Sequence, residues 1–120
     1  FDDYLTTAEG KSLPVPHCIK GTVGHKLYGG LADALKGNLC FEKNTFPSLE
    51  MAKYLEGKDF DTIELCGLVS NICVLSNAVM AKSACPNSEI IVDSSLTAAA
   101  DEEIHQKSLD VMKGLFIKVL

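Results

Sequence analysis

The sequence predicts an α/β fold built on a parallel sheet, and three observations carry that prediction. Segments with strand character alternate with helical patterns of about ten to fifteen residues, the rhythm of βαβ units. Two strand segments contain unbroken apolar runs, "IIV" at 90–92 and "LFI" at 115–117, as expected where a strand is covered on both faces. No repeat, low-complexity tract or interdomain linker interrupts the pattern, so the 120 residues read as one α/β unit.

In chain order, the first 24 residues hold Pro14, Pro16, Gly21 and Gly24 and read as an irregular loop. "HKLYGGLADALK" (25–36) spaces Leu27, Leu31, Ala34 and Leu35 as a helix, weakened by Gly29 and Gly30. "NLCFEK" (38–43) is a short strand candidate. Pro47 and Ser48 open a helix through "SLEMAKYLEG" that ends at Gly57. "DTIELCGL" (61–68) is a strand with a glycine near its end. Residues 71–84, rich in Val, Leu, Ala and Met, form a helix stopped by Pro86. "EIIVDSS" (89–95) is a strand, "DEEIHQKSLDVMKG" (101–114) a helix with acidic residues at its start, and "LFIKVL" (115–120) a final strand.

Composition narrows the function classes. At 47% hydrophobic and 22% charged residues, the chain has the balance of a packed soluble domain. A net charge of -5 and a pI near 5.1 leave no basic stripe to neutralise phosphates, which argues against nucleic acid as a partner. No apolar run reaches the roughly 18 residues of a membrane helix, so no membrane partner is expected. "FDDYLTTAEGKSL" has neither a basic start nor an apolar stretch, so no signal peptide is expected. The five cysteines, Cys18, Cys40, Cys66, Cys73 and Cys85, are odd in number and include no C-x-x-C pair. Three sit in apolar surroundings, as reduced thiols of a cytoplasmic protein do.

The chemistry concentrates in "GLVSNICVLSNAV" (67–79), where a strand gives way to a helix at Cys73. Ligands of open α/β sheets bind beyond the carboxyl ends of the strands, and this turn lies there. The thiolate rather than the thiol is the nucleophile, and the positive end of a helix dipole favours negative charge. Backbone N–H groups of such a turn can receive the oxyanion formed when sulfur attacks a carbonyl. Ser70 and Asn71 are placed to cap the helix. By position alone, Cys73 reads equally well as a small apolar residue opening a buried helix.

Further segments break the tie. "CGLVSNICV" resembles the nucleophile segment of the isochorismatase-like cysteine hydrolases, the group that includes nicotinamidases. That segment is Gly, two small apolar residues, Thr or Ser, Asp or Asn, any residue, then Cys. Gly67 to Cys73 follow it without a gap. "FEKNTF" resembles the family's strand-end lysine segment, and "PVPHCIKGTVG" its Pro-x-His-Cys loop. The three occur in the family's order, and the resemblance extends over essentially the whole chain.

The resemblance implies a three-layer αβα fold whose parallel sheet has the order 3-2-1-4-5-6. The four strand candidates here would be the third to sixth. It implies a cysteine amidohydrolase that cleaves a small amide such as nicotinamide to acid plus ammonia through a thioester. Cys73 would be the nucleophile and Lys43 the cation that holds its thiolate, though "FEKNTF" alone reads as a solvated strand-end lysine. The N–H groups of Val69 and Cys73 would form the oxyanion hole, with a cis peptide before Val69. His17 would be one ligand of a divalent metal ion such as zinc, which nicotinamidases hold and some relatives lack; a loop histidine bonded to backbone is the competing reading. Many nicotinamidases have an aromatic residue three positions before that histidine, where this chain has Pro14. Phe46 would supply the aromatic wall instead, or else be a core residue opening the next helix.

One catalytic member is unmatched. The family's general base is an aspartate at the end of its first strand, and Asp2 and Asp3 open a polar loop rather than follow an apolar strand. The expectation is that about the first third of a family member, with its Asp-x-His metal pair, lies outside these residues, and that residues 1–120 alone have no amidase activity. The competing function is a non-catalytic binding or assembly module of the same family. A flavodoxin-like redox or nucleotide domain lacks support, because "GHKLYGG" has the wrong spacing and context for a phosphate loop. A papain-like pairing of Cys73 with His105 requires that histidine within hydrogen-bond reach, whereas His25 and His105 read as surface residues of helices. A small amide is the expected partner, and homo-oligomerisation is left open.

Overall fold

The computed structural model describes residues 4–120, so Asp2 and Asp3 lie outside the described residues. The chain divides into two compact bodies, Phe1–Thr45 and Phe46–Leu120.

The first body is mostly irregular but not wholly a loop. It holds a 3-10 turn at Tyr4–Thr6, a short helix α1 (Ala8–Lys11), a second 3-10 turn at Val23–His25 and a short helix α2 (Leu31–Ala34). Thr7 caps α1, its hydroxyl accepting from the Gly10 N–H at 2.9 Å. The helix expected over 25–36 is reduced to these two pieces. Gly29 takes a φ of +58°, a left-handed conformation that a continuous helix excludes, so the four apolar residues at helical spacing never form one stripe. Lys20 and Glu42 pair at 2.6 Å, and the lysine's hydrogen bond and charge hold the Glu42 carboxyl below its ordinary range.

The strand expected at 38–43 does not form. A strand exists only as a member of a ladder that satisfies its N–H and C=O groups, and no described strand pairs with these residues. The sheet therefore has three strands among the described residues, not four: β1 (Thr62–Leu68), β2 (Glu89–Ala98) and β3 (Lys118–Val119), in the order β1-β2-β3 and all parallel.

The second body follows the expected alternation closely. Helix α3 (Leu49–Leu55) opens at Ser48, whose hydroxyl accepts from the Met51 N–H, and Gly57 ends it at a φ of +74°. Helix α4 (Leu75–Ala84) connects β1 to β2, and α5 (Glu102–Gly114) connects β2 to β3. Asp101 caps α5, its carboxylate accepting from the Ile104 N–H at 2.8 Å. Glu102 and Glu103 add negative charge at the positive end of the same helix. Replacing Asp101 with alanine is expected to lower stability by about 0.5–2 kcal/mol, read as a lower urea midpoint at unchanged slope.

The final strand is shorter than "LFIKVL" suggests, because Leu115 closes α5 and Phe116 turns the chain at a φ of +57°. Only Lys118 and Val119 join the ladder, opposite Ile91 and Val92. The core gathers Leu55, Val74, Ala78, Ala81, Cys85, Ile90, Val92, Leu109, Met112 and Ile117 from α3, β2, both connecting helices and their flanks. Small residues on α4, Ala78 and Ala81, are fully buried.

One irregularity marks the end of the sheet near the site. The β1–β2 register passes from Leu65↔Val92 to Gly67↔Thr97, so two steps along β1 match five along β2. Within the extra residues, the Asp93 carboxylate accepts from the Ser95 hydroxyl at 2.7 Å and its N–H at 2.8 Å. Both bonds, the hydroxyl first, hold its carboxyl below the usual range. That contribution to stability is complete above the ordinary carboxylate pKa and fades as pH falls through the lowered value. No described helix is long and apolar enough to cross a membrane.

Candidate active site

Strand β1 ends at Leu68, and the peptide between Leu68 and Val69 is cis. Val69 remains extended, at φ -105° and ψ 149°. The chain then winds a π-type turn over Ser70–Val74 before regular helix begins at Leu75. Both the Ile72 and the Val74 N–H donate to the Val69 carbonyl at 3.1 Å. Helix was expected from residue 71 onward; a wider turn stands at its start instead. Such turns recur at functional sites because they re-aim backbone and side-chain groups. Cys73 lies within this turn, half-buried, with its thiol free of any disulfide, as are the other four.

Ser70 does not cap the helix, and no side-chain cap forms there. Its fully buried hydroxyl lies 2.9 Å from Nδ1 of His105, which comes from α5. His105 is thus a buried residue, not the surface histidine expected from its charged neighbours. Buried residues of α5 are His105, Ser108, Leu109 and Met112, spaced 0, 3, 4 and 7. That helical stripe was available in the sequence once Leu109 and Met112 were extended backwards by one turn. Among the described residues the ring bonds Ser70 rather than Cys73, so the papain-like pairing is not formed.

Asn77, unnoticed in the sequence, clips the turn to the start of α3. Its side-chain NH₂ donates to the Cys73 carbonyl at 2.7 Å and to the Phe46 carbonyl at 3.1 Å. Its side-chain oxygen accepts from the Ser48 N–H at 2.8 Å. One amide side chain therefore satisfies groups from three places in the chain, using three of its four hydrogen-bonding sites. Phe46 and Pro47 share a cavity of about 600 Å³ with Asn71, Ile72, Leu75, Ser76, Val79 and Met80. The cavity wall is mostly hydrocarbon, with Asn71 and Ser76 as its polar points, and neither Val69 nor Cys73 lines it.

Of the five residues expected at the site, Phe46, Val69 and Cys73 fall in the second body. Lys43 and His17 belong to the first. The Lys43 ammonium donates to the Thr45 carbonyl at 3.0 Å. His17 is exposed, with Nδ1 against the Val15 carbonyl at 2.9 Å. This bond to a carbonyl requires the proton on Nδ1, so in the neutral ring the lone pair lies on Nε2. A metal such as zinc takes three or four protein ligands. No three His, Cys, Asp or Glu side chains come together among the described residues, so they supply one candidate ligand and not a donor set.

The sequence and the fold of this chain both have counterparts among known proteins. A protein-family profile described as the isochorismatase domain matches residues 2–120. The chain belongs to the isochorismatase family. Among curated proteins, none matches it. Among solved structures, the pyrazinamidase/nicotinamidase of Streptococcus mutans is 30% identical with a TM-score of 0.78, over 94% of this chain and 66% of that one. The nicotinamidase/pyrazinamidase of Bacillus subtilis is 27% identical with a TM-score of 0.77, over 93% of this chain and 65% of that one. This isochorismatase-family chain thus spans just under two thirds of the length of either. The pyrazinamidase of Pyrococcus horikoshii, in complex with zinc, shares the fold at 20% identity and a TM-score of 0.74, over 99% of this chain and 69% of that one. The α/β fold with a parallel sheet is therefore that of the isochorismatase family.

Proposed function

We propose that this isochorismatase-family protein is a cysteine amidohydrolase acting on a small planar amide, with nicotinamide the leading substrate. The observation that carries the reading is the position of Cys73. It sits in a turn beyond the carboxyl end of a parallel strand, three residues after a buried serine. On the resemblance, Phe46 would supply an aromatic wall, and the names of the two bacterial neighbours, nicotinamidase and pyrazinamidase, support a heteroaromatic carboxamide.

In the proposed reaction the Cys73 thiolate attacks the carboxamide carbon. The C=O electron pair moves to oxygen, where the N–H groups of Val69 and Cys73 receive the charge. On the resemblance, Lys43 supplies the ammonium that favours the thiolate. The pair returns to re-form the carbonyl, the C–N bond breaks, and the nitrogen leaves with an added proton as ammonia. Water then adds to the thioester, and the C–S bond breaks to give the carboxylic acid and the free thiol. The proton transfers need a base, and the resemblance assigns it to an aspartate that no segment of these 120 residues matches. His17 would be the chain's contribution to a divalent metal site. Five cysteines outside any disulfide support a reducing, cytoplasmic setting.

Alkylation by iodoacetamide tests the reading. In the full-length protein, Cys73 is expected to react fastest of the five cysteines and to be shielded by nicotinamide. Equal, slow labelling of all five would sink the enzyme and leave the binding or assembly module in its place.

A further inference from the structure

We propose that His105 is a positioning residue for the oxyanion-binding turn, acting through its hydrogen bond to Ser70; this inference rests on the amidohydrolase reading above. The bond joins two buried side chains that lie 35 residues apart, one in the turn and one on α5. Ser70 is the residue after Val69 and the third before Cys73, so the tether sits between the two proposed N–H donors.

The far end of the turn is seated by Val74, which is buried in the core. The turn's internal bonds, from Ile72 and Val74 to the Val69 carbonyl, set its shape but bind it to nothing outside itself. Asn77 anchors its far end through the Cys73 carbonyl. The near end, where Val69 must aim its N–H, is held by the Ser70 hydroxyl against α5. Helix α5 is in turn seated by Leu109 and Met112 in the core.

The choice of residue points the same way. His105 occupies the first position of a buried stripe that continues with Ser108, Leu109 and Met112. A leucine there would bury more hydrocarbon and need no partner, whereas a buried imidazole must be satisfied. The polar pair thus selects one placement of the turn where an apolar pair would permit several. An oxyanion hole acts on charge that develops only in the transition state, so a misplaced donor lowers kcat and leaves KM.

The test compares His105→Leu, Ser70→Ala and His105→Asn in the full-length protein. The asparagine amide nitrogen can occupy the place of Nδ1 and keep the bond. With nicotinamide, His105→Leu and Ser70→Ala are expected to lose about 10- to 100-fold in kcat, the scale of a roughly 1 Å misplacement, with KM nearly unchanged. The double variant should be no worse than the poorer single, since both break one bond. His105→Asn should recover most of the loss. Amide exchange supplies a readout independent of turnover: the Ile72 and Val74 N–H groups should exchange faster in the first two variants, with core amides of β2 unchanged. A folded His105→Leu protein with wild-type kcat overturns the proposal, as does a change in KM alone. If the wild type hydrolyses no amide, the amidohydrolase reading fails separately, and unchanged exchange in the turn then overturns the positioning role. If His105→Leu does not fold, Ser70→Ala against His105→Asn makes the same comparison. If none of the three folds, the bond is structural and the proposal falls.

Discussion

Replacing Cys73 with alanine is expected to reduce amide turnover by about 10⁴- to 10⁶-fold, the scale seen when a catalytic nucleophile is lost. Binding and the backbone donors would remain, so substrate affinity should change little. The protein itself should be as stable as before, because Cys73 is half-buried and outside the close-packed cluster. A serine at this position should rescue almost nothing, since a hydroxyl is far less ionised than a thiol. A fall in activity that merely tracked a fall in stability would point to a packing role instead. Urea denaturation of the same variant separates the two.

The second large effect concerns the fold. Met112 has no exposed surface and meets the core where α5 packs on the sheet. Cutting it to alanine is expected to cost about 2–5 kcal/mol, the transfer loss plus that of the cavity left behind. Against a total stability of about 5–15 kcal/mol, this is a large share. Thermal or urea unfolding of the full-length variant should show a clearly lower midpoint. Leu49, which is largely exposed on α3, is the control: its alanine variant should stay within about 0.5 kcal/mol of wild type.

Local chemistry was legible in the sequence wherever one short segment decided the outcome. Ser48 and Gly57 bound α3 as their residue types predict, and the acidic start of α5 sits where the helix dipole favours it. The run from Gly67 to Cys73 announced both a strand-to-helix turn and, through the family it resembles, the cis peptide at Val69. Failures came where the outcome depended on distant partners. "NLCFEK" has strand composition, but composition cannot supply a neighbour to pair with. "LFIKVL" has an apolar run, yet Leu115 and Phe116 are spent on ending α5.

The site shows the same division. Val69 and Cys73 stand at the turn that the segment from Gly67 to Cys73 marks, and Phe46 lies just before α3. Asn77 was missed because an asparagine inside an apolar helix looks like a defect until its three partners are seen. His105 was misread because Glu102, Glu103 and Lys107 surround it in sequence, and these pair among themselves and with Gln106 on the exposed side. Its own face of the helix is set by Leu109 and Met112, one and two turns away.

A covalent intermediate on one sulfur is the centre of the account. Acid quenching of the full-length protein during nicotinamide turnover, followed by peptide mapping, reads it directly. The account predicts the acyl group of the substrate on the peptide containing Cys73, and its absence from the alanine variant. Turnover with that cysteine unmodified, or with the acyl group on another of the five thiols, would contradict it.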